Sequence, residues 1–388
     1  MIAVLLTHNF AILTMKYLII ASFPESLLNF RGALMESLKS KGVSVHIAAP
    51  DLPVDSAVRR QIEDRGYIVH PIELQRVGMN PWKDLLCLIG LCRLLRKIKP
   101  DAVLAYTVKP VVYGLLAARL MAVPKRFALI TGLGYAFQGD ESGRSSRSGL
   151  RSLVQKLYAL ALRGSCKTFF QNPDDLKLFK ERKLISSSAQ TCVVNGSGVD
   201  LNKFELTAPP TPISFLLIAR LLGDKGVREY VAAARLIRQS QPEVIFNLVG
   251  WIDDNPDAIS ANELDAWVKD GTVQYLGRLN DVRPAIRASS VYVLPSYREG
   301  TPRTVLEAMA MGRAIVTTDA PGCRETVLDG VNGYLVEVKN SDSLAQAMLR
   351  FLQDPSKAET MGQASRKVAE EKYDVHMVNQ MMLREMGV

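Results

Sequence analysis

The sequence predicts an α/β protein made of two doubly wound parallel sheets. Three observations carry that expectation. The chain has 388 residues, too many for one ordinary core and suited to two. Short apolar runs alternate with longer helix-patterned stretches along nearly its whole length. Those apolar runs are continuous rather than alternating, as in strands covered on both faces. Repeated βα units of this kind wind into an open sheet through right-handed crossovers.

The elements follow in order. YLIIAS (17–22) reads as a strand and LLNFRGALMESLKSKG (27–42) as a helix stopped at Gly42. VSVHIAAP (43–50), YIVHPI (67–72), DAVLAY (101–106) and FALITG (127–132) read as strands, with helices near 54–65, 82–98 and 110–121. ELTAPPTPI (205–213) holds three prolines in a short polar run, the composition of a stiff linker. After it the rhythm restarts. SFLLIAR (214–220), EVIFNLVG (243–250), TVQYLG (272–277), VYVLP (291–295) and AIVTT (314–318) are strands, and 227–239, 281–288 and 303–311 are helices. The division expected is 1–204, a linker at 205–213, and 214–388. Residues 1–14 are read as an extension or an upstream-start artefact, since Met15-Lys16-Tyr17 begins the first strand naturally. The segment from Ser341 on reads as helical, its end drawn as crossing back to the first domain. Two such domains facing across a cleft would bind ligands beyond the carboxyl ends of their strands.

Composition excludes several classes. Hydrophobic residues make up 48% and charged residues 22%, which fits a globular chain and not a disordered one. The net charge of +9 is uneven: residues 1–208 hold 28 Lys and Arg against 16 Asp and Glu, the remainder 20 against 23. The basic first half suits an anionic membrane or a phosphorylated substrate, or is simply a solvated basic surface. Five cysteines without a CxxC pair read as reduced and structural. His8, His46, His70 and His376 lack ligand-like spacing, so no protein-bound metal is expected. The apolar stretch from Ala3 to Ser22 is broken by His8, Asn9, Thr14 and Lys16, and makes neither a signal peptide nor a membrane span.

Two stretches of the second half carry chemistry. ARLLGDKG (219–226) places Arg220 at a strand end and Lys225 at a helix start. Arg offers a planar fork and Lys a point charge, a pair that suits a diphosphate; the plainer reading is two surface cations in a loop. SYREGTPRTVLEAMAMG (296–312) places Glu299 before a helix and Glu307 inside it. Pro302 suits the first helical turn, and Gly300 lets the backbone approach a ligand. The amides of Arg303, Thr304 and Val305 are expected to point at an anion. A carboxylate at Glu307 can accept from both hydroxyls of a ribose, so the two acids would flank one bound nucleoside diphosphate. The plainer reading of Glu307 is a solvent-facing i,i+4 pair with Arg303.

Taken together, these stretches strongly resemble the retaining GT-B glycosyltransferases of family 4. The family signature EG-x-P-x4-E-A-M-A-x-G stands here as Glu299, Gly300, Pro302, Glu307, Ala308, Met309, Ala310 and Gly312. VVNGSGVDLNKF (193–204), NLVGW (247–251), LGRLNDV (276–282) and PGCRETV (321–327) extend the likeness over nearly the whole chain. The resemblance implies roles. Arg220 and Lys225 would hold the donor diphosphate and stabilise the leaving group. Glu299 would lie over the transferred sugar, with the backbone of Gly300, Thr301 and Arg303 touching its hydroxyls. Glu307 would bind the ribose, Leu279 the uracil, and Gly250, Thr304 and Val305 complete the donor set. No cofactor is implied, because cationic side chains replace a metal; Asp253-Asp254 is read as a loop.

The likeness breaks at the first domain. Many members carry a histidine where this chain reads AYTVKP (105–110) and ITGLGYAF (130–137). Its job would pass to Lys109, Tyr106 or backbone near Gly132 to Gly134. Acceptor-side candidates are Lys109, Gly134, Tyr135 and Arg31. ITGLGY looks like the branch acting on polyprenyl-diphosphate-linked sugars, the N-acetylgalactosaminyltransferases of bacterial glycan assembly included. The implied activity is transfer of an N-acetylhexosamine from a UDP-sugar to such an acceptor in O-antigen, capsule or glycoprotein glycan synthesis. The stretch 82–100, apolar and then basic at Arg93, Arg96, Lys97 and Lys99, would meet an anionic membrane peripherally, at its cytoplasmic face, or is an ordinary buried helix whose terminal cations complement its dipole; nucleic acid is not an expected partner. Two rival readings are a UDP-sugar 2-epimerase and a non-enzymatic nucleotide-sugar-binding protein.

Overall fold

The computed structural model of the protein describes residues 14–75, 80–132, 148–186, 188–253 and 255–388. Within it the chain forms two parallel sheets with helices between successive strands. The first is built from β1 (Lys16–Ile20), α1 (Pro24–Ser40), β2 (Ser44–Ala49), α2 (Ala57–Asp64), β3 (Ile68–Pro71), α3 (Pro81–Ile98), β4 (Ala102–Tyr106), α4 (Leu115–Leu120), β5 (Lys125–Ile130), α5 (Ser148–Leu162), β6 (Lys167–Phe170), α6 (Pro173–Glu181) and β7 (Thr191–Val193). Its strand order is β3-β2-β1-β4-β5-β6-β7. Tyr17, Leu18, Ile19 and Ile20 of β1 are fully buried, as a strand covered on both faces requires.

The second sheet follows from β8 (Ser214–Ile218), α7 (Val227–Arg238), β9 (Ile245–Val249), α8 (Ala261–Lys269), β10 (Gln274–Tyr275), α9 (Arg283–Arg287), β11 (Val291–Leu294), α10 (Arg303–Ala310), β12 (Ala314–Thr318), β13 (Gly333–Val336), α11 (Ser341–Gln353), α12 (Ser356–Lys372) and α13 (Val375–Met386). Its order is β10-β9-β8-β11-β12-β13, so the direction of winding reverses between β8 and β11. Alternate residues of each strand feed opposite cores. Phe215, Leu217, Val291 and Val293 pack with Tyr230 and Ala234 of α7 and Leu344 and Met348 of α11. Leu216, Ile218, Tyr292 and Leu294 pack with Val305, Leu306 and Met309 of α10 and Ala369 of α12. That two-sided burial is why these strands read as unbroken apolar runs.

Several expectations shift at the edges. The helix expected at 110–121 opens with a π-helical turn, Pro110–Gly114, before α4. β10 is two residues long, because Gly277 at φ +71° turns the chain out of the extended region. The proline-rich stretch is pinned rather than free. Arg313, 1% exposed, donates from NH1 to Thr207 O (2.8 Å) and from Nε to Ile286 O (3.0 Å), and Ser290 Oγ donates to Pro210 O (2.7 Å).

By internal contacts the chain condenses into two compact units. One comprises residues 1–129, 156–167 and 388; the other 130–155 and 168–387. The second unit therefore holds the second sheet together with the segment of α6 and β7.

Candidate active site

The reversal between β8 and β11 is where an open sheet leaves a crevice beyond its strand ends. Arg220 lies two residues past β8. After it, a 3₁₀ turn (Gly223–Lys225) ends at Gly226, φ +70°. A Cβ at Gly226 would stand 2.1 Å from Pro295 O, so this glycine lets the loop after β8 press against the end of β11. The two loops are stitched there: Tyr297 N donates to Asp224 O (2.9 Å), and so does Ser296 Oγ (3.1 Å). The result is a contact between Lys225 Nζ and Glu299 Oε1 of 2.6 Å, both side chains largely buried. Burial works to lower the Lys225 pKa, but Glu299 and then Asp224 outweigh it and hold the ammonium above the usual lysine range. Arg220 NH1 lies 3.1 Å from Asp253 Oδ2, so each cation meets a carboxylate. Asp254 lies outside the described residues. Among those described, no group of three or more His, Cys, Asp or Glu is disposed to hold a metal ion.

Glu307 is not solvent-facing. It is 7% exposed on α10, with Arg303 Nε donating to its Oε1 at 2.8 Å. Burial pushes its carboxyl above the usual range, with Arg303 opposing. Thr304 Oγ1 sits 2.6 Å from the buried Tyr292 hydroxyl, which also donates to Ile218 O at 3.0 Å, tying the first turn of α10 to the end of β8. One expectation needs correction: the Val305 amide is not free, because it donates to Pro302 O at 3.1 Å in a tight first turn. Pro302 is the cap of α10 and the helix begins at Arg303.

Gly300 also departs from expectation. A Cβ there would meet Gln171 Oε1 at 2.4 Å and Thr131 O at 2.5 Å, so its close approach is to the chain itself. Thr301 Oγ1 donates to Gln171 O at 2.9 Å. Gly250 serves packing: its Cβ would fall 2.0 Å from Ala219 O, and its carbonyl accepts from Tyr275 Oη at 2.9 Å. Leu279 is partly buried against the core beside α10. Sequence reasoning read Asp253 only as a loop residue and did not single out Gln171, Asn172 or Asp175. Asp253 could have been found, since it follows the strand that pairs with β8.

Of the acceptor-side candidates, two lie among the described residues. Arg31 and Lys109 belong to the first unit. Arg31 is 3% exposed, its guanidinium 5.3 Å above the Tyr106 ring, so it is a core cation rather than a surface one. Tyr106 Oη lies 2.7 Å from Ser26 Oγ, and Lys109 Nζ lies 2.8 Å from Asp84 Oδ1. Gly134 and Tyr135 lie outside the described residues, as do residues 1–13. Two of the histidines that lack ligand-like spacing in the sequence form a close pair, His46 Nδ1 lying 2.9 Å from His70 Nε2.

This geometry sits within a recognisable lineage. Residues 212–354 match the family described as glycosyl transferases group 1, and residues 18–172 match glycosyl transferase 4-like. The chain is 30% identical over 344 residues, 85% of its length and 87% of the relative's, to the N,N'-diacetylbacillosaminyl-diphospho-undecaprenol alpha-1,3-N-acetylgalactosaminyltransferase of Campylobacter jejuni. The chain belongs to the group 1, family 4-like glycosyltransferases. This glycosyltransferase is also 27% identical, over 70% of its length and 71% of the relative's, to the UDP-Gal:alpha-D-GlcNAc-diphosphoundecaprenol alpha-1,3-galactosyltransferase of Escherichia coli. Its fold superposes on that of Anabaena HepE in complex with UDP, with a TM-score of 0.76 at 18% identity, covering 96% of this chain and 99% of that one. The expected GT-B architecture of two Rossmann-like parallel sheets is thus the fold observed, and the protein is a transferase.

Proposed function

We propose that this glycosyltransferase moves an N-acetylhexosamine from a UDP-sugar to a polyprenyl-diphosphate-linked saccharide, with retention at the anomeric carbon, in surface-glycan assembly. The observation that carries the reading is the Lys225–Glu299 contact at the β8–β11 reversal, with Arg220 close enough to couple electrostatically to Lys225. A bound diphosphate takes over Lys225 and Arg220 from their carboxylate partners. As the C1–O bond to the diphosphate breaks, UDP leaves with the electron pair and its growing charge is met by those two cations. The acceptor hydroxyl attacks on the face the leaving group vacates, and its proton leaves with the departing phosphate oxygen. Glu299 then faces the sugar, and Glu307 accepts from the ribose hydroxyls. Donor binding by fixed cations needs no divalent ion.

The acceptor class follows the two curated relatives, whose names both carry an undecaprenol diphosphate. The first unit offers a surface for such a lipid. No helix among the described residues is long and apolar enough to cross a membrane. On α3, however, Trp82 (76% exposed), Leu85, Leu86 and Ile89 form an outward apolar stripe, followed by exposed Arg93, Arg96 and Lys97. That pattern suits a helix lying flat on an anionic bilayer, and it supports a peripheral site of action at the inner face of the cytoplasmic membrane.

The test is a transfer assay with EDTA present, pairing a panel of UDP-sugars with extracted polyprenyl-diphosphate sugars. Acceptor-dependent UDP release, strongest with a UDP-N-acetylhexosamine and giving the retained anomer, is the expected result. Release only after a divalent ion is restored, or only from another nucleotide's sugar, overturns the donor reading.

A further inference from the structure

We infer that Asn172 is a positioning residue for transfer: its carboxamide fixes the Glu299–Gly300 backbone, and with it the carboxylate that faces the sugar. This rests on the role given to Glu299 above.

Asn172 follows β6 and is fully buried. Its two ends do different work. Oδ1 caps α6, accepting from Asp175 N at 2.7 Å. Nδ2 donates toward Gly300 O (2.9 Å), Glu299 O (3.2 Å) and Asp175 Oδ2 (3.1 Å). Two carbonyls 127 and 128 positions away thus share one amide donor. From the other side Glu299 N donates to Pro321 O at 2.9 Å. Gly322, at φ +81°, lies so close that a Cβ would stand 2.1 Å from Glu299 O. Asp175, itself fully buried, is balanced by Arg298 NH2 at 2.5 Å, on the residue just before Glu299. The Glu299 peptide is therefore held between two separate segments of the second unit, 172–175 and 321–322.

A helix cap does not need the amide nitrogen, since Ser and Asp cap as well as Asn. That lets the two jobs be separated. Asn172→Ser keeps the cap and loses the donor. Asn172→Asp keeps cap and size, and turns an oxygen toward two carbonyl oxygens. A small displacement of a catalytic group costs about 10²-fold in rate.

The experiment measures UDP affinity and kcat per UDP-binding site for the wild type, Asn172→Ser, Asn172→Asp and Glu299→Gln. The expected result is UDP affinity within about twofold of wild type in both Asn172 variants, with kcat per site lowered about 10- to 100-fold and further for Asp than for Ser. If the variants lose only UDP-competent protein while kcat per site stays within about twofold of wild type, Asn172 is a structural cap and the inference is overturned. Normal turnover in Glu299→Gln, by contrast, removes the role given to Glu299 and the inference with it.

Discussion

Lys225 Nζ and Glu299 Oε1 are 2.6 Å apart although 74 positions separate them in the chain. Each is the other's counter-charge, and in the proposed reaction a diphosphate would replace Glu299 at Lys225. Neutralising Glu299 therefore unmasks a cation as well as removing an acid. Glu299→Gln is expected to keep or tighten UDP binding while turnover falls about 10²–10³-fold. Lys225→Met is expected to weaken UDP binding by about tenfold or more, since a charge-assisted contact is worth roughly 1.5–3 kcal/mol. Calorimetric UDP titration of both variants decides this; equal loss of affinity in the two would show that the acid and the cation act only as one structural pair.

Glu307 is buried beside Arg303, with one carboxylate oxygen taken by that guanidinium. In the proposed role the other oxygen accepts from a ribose diol. Wild-type protein should prefer UDP over 2′-deoxy-UDP by about tenfold, roughly 1.4 kcal/mol for a hydrogen bond to a charged group. In Glu307→Gln that preference should shrink to about twofold. A preference unchanged by the substitution would take the ribose away from Glu307.

His46 and His70 stack 5.2 Å apart on β2 and β3. Burial, then His46, then Lys97 lower His70 to about 4, and burial with Lys16 lowers His46. Both are neutral in the folded state near pH 7, whereas the unfolded chain takes up protons near pH 6.5. Stability from this pair is thus present above about pH 6.5 and lost as pH falls toward 4. Urea denaturation at pH 7.5, 6 and 5 should show a steeper decline in wild type than in His70→Asn. Parallel curves would mean that the pair titrates alike in both states.

The stripe on α3 predicts a separable surface function. Trp82→Glu with Leu86→Glu should reduce co-sedimentation with vesicles containing anionic lipid by about tenfold and leave thermal stability unchanged, since both residues are exposed. Unaltered sedimentation would move the lipid contact elsewhere.

The strands of both sheets were legible because burial on both faces leaves an unbroken apolar run, as in Ala314–Thr318. β6, β7 and β13 were not read, and length alone does not explain it, since β3 and β11 are as short. Of the site, the residue types were legible and the pairings were not. Arg303 and Glu307 are an i,i+4 pair that any helix would bring together. Nothing local says that Glu299 meets Lys225, or that Asn172 reaches the Glu299 carbonyl. The burial of Glu307 was likewise hidden, because it depends on what α10 packs against rather than on α10 itself.

The second compact unit begins its main segment at residue 168, well before the proline-rich stretch at 205–213. That boundary bears on how pieces of this enzyme could be exchanged with those of its relatives. A graft joined at the prolines would carry the whole second sheet with Arg220, Lys225, Glu299 and Glu307. It would leave Gln171, Asn172 and Asp175 to be supplied by the host. A joint placed ahead of residue 168 would bring Gln171, Asn172 and Asp175 with the graft, and only one ahead of residue 130 would also bring Thr131, which presses against Gly300.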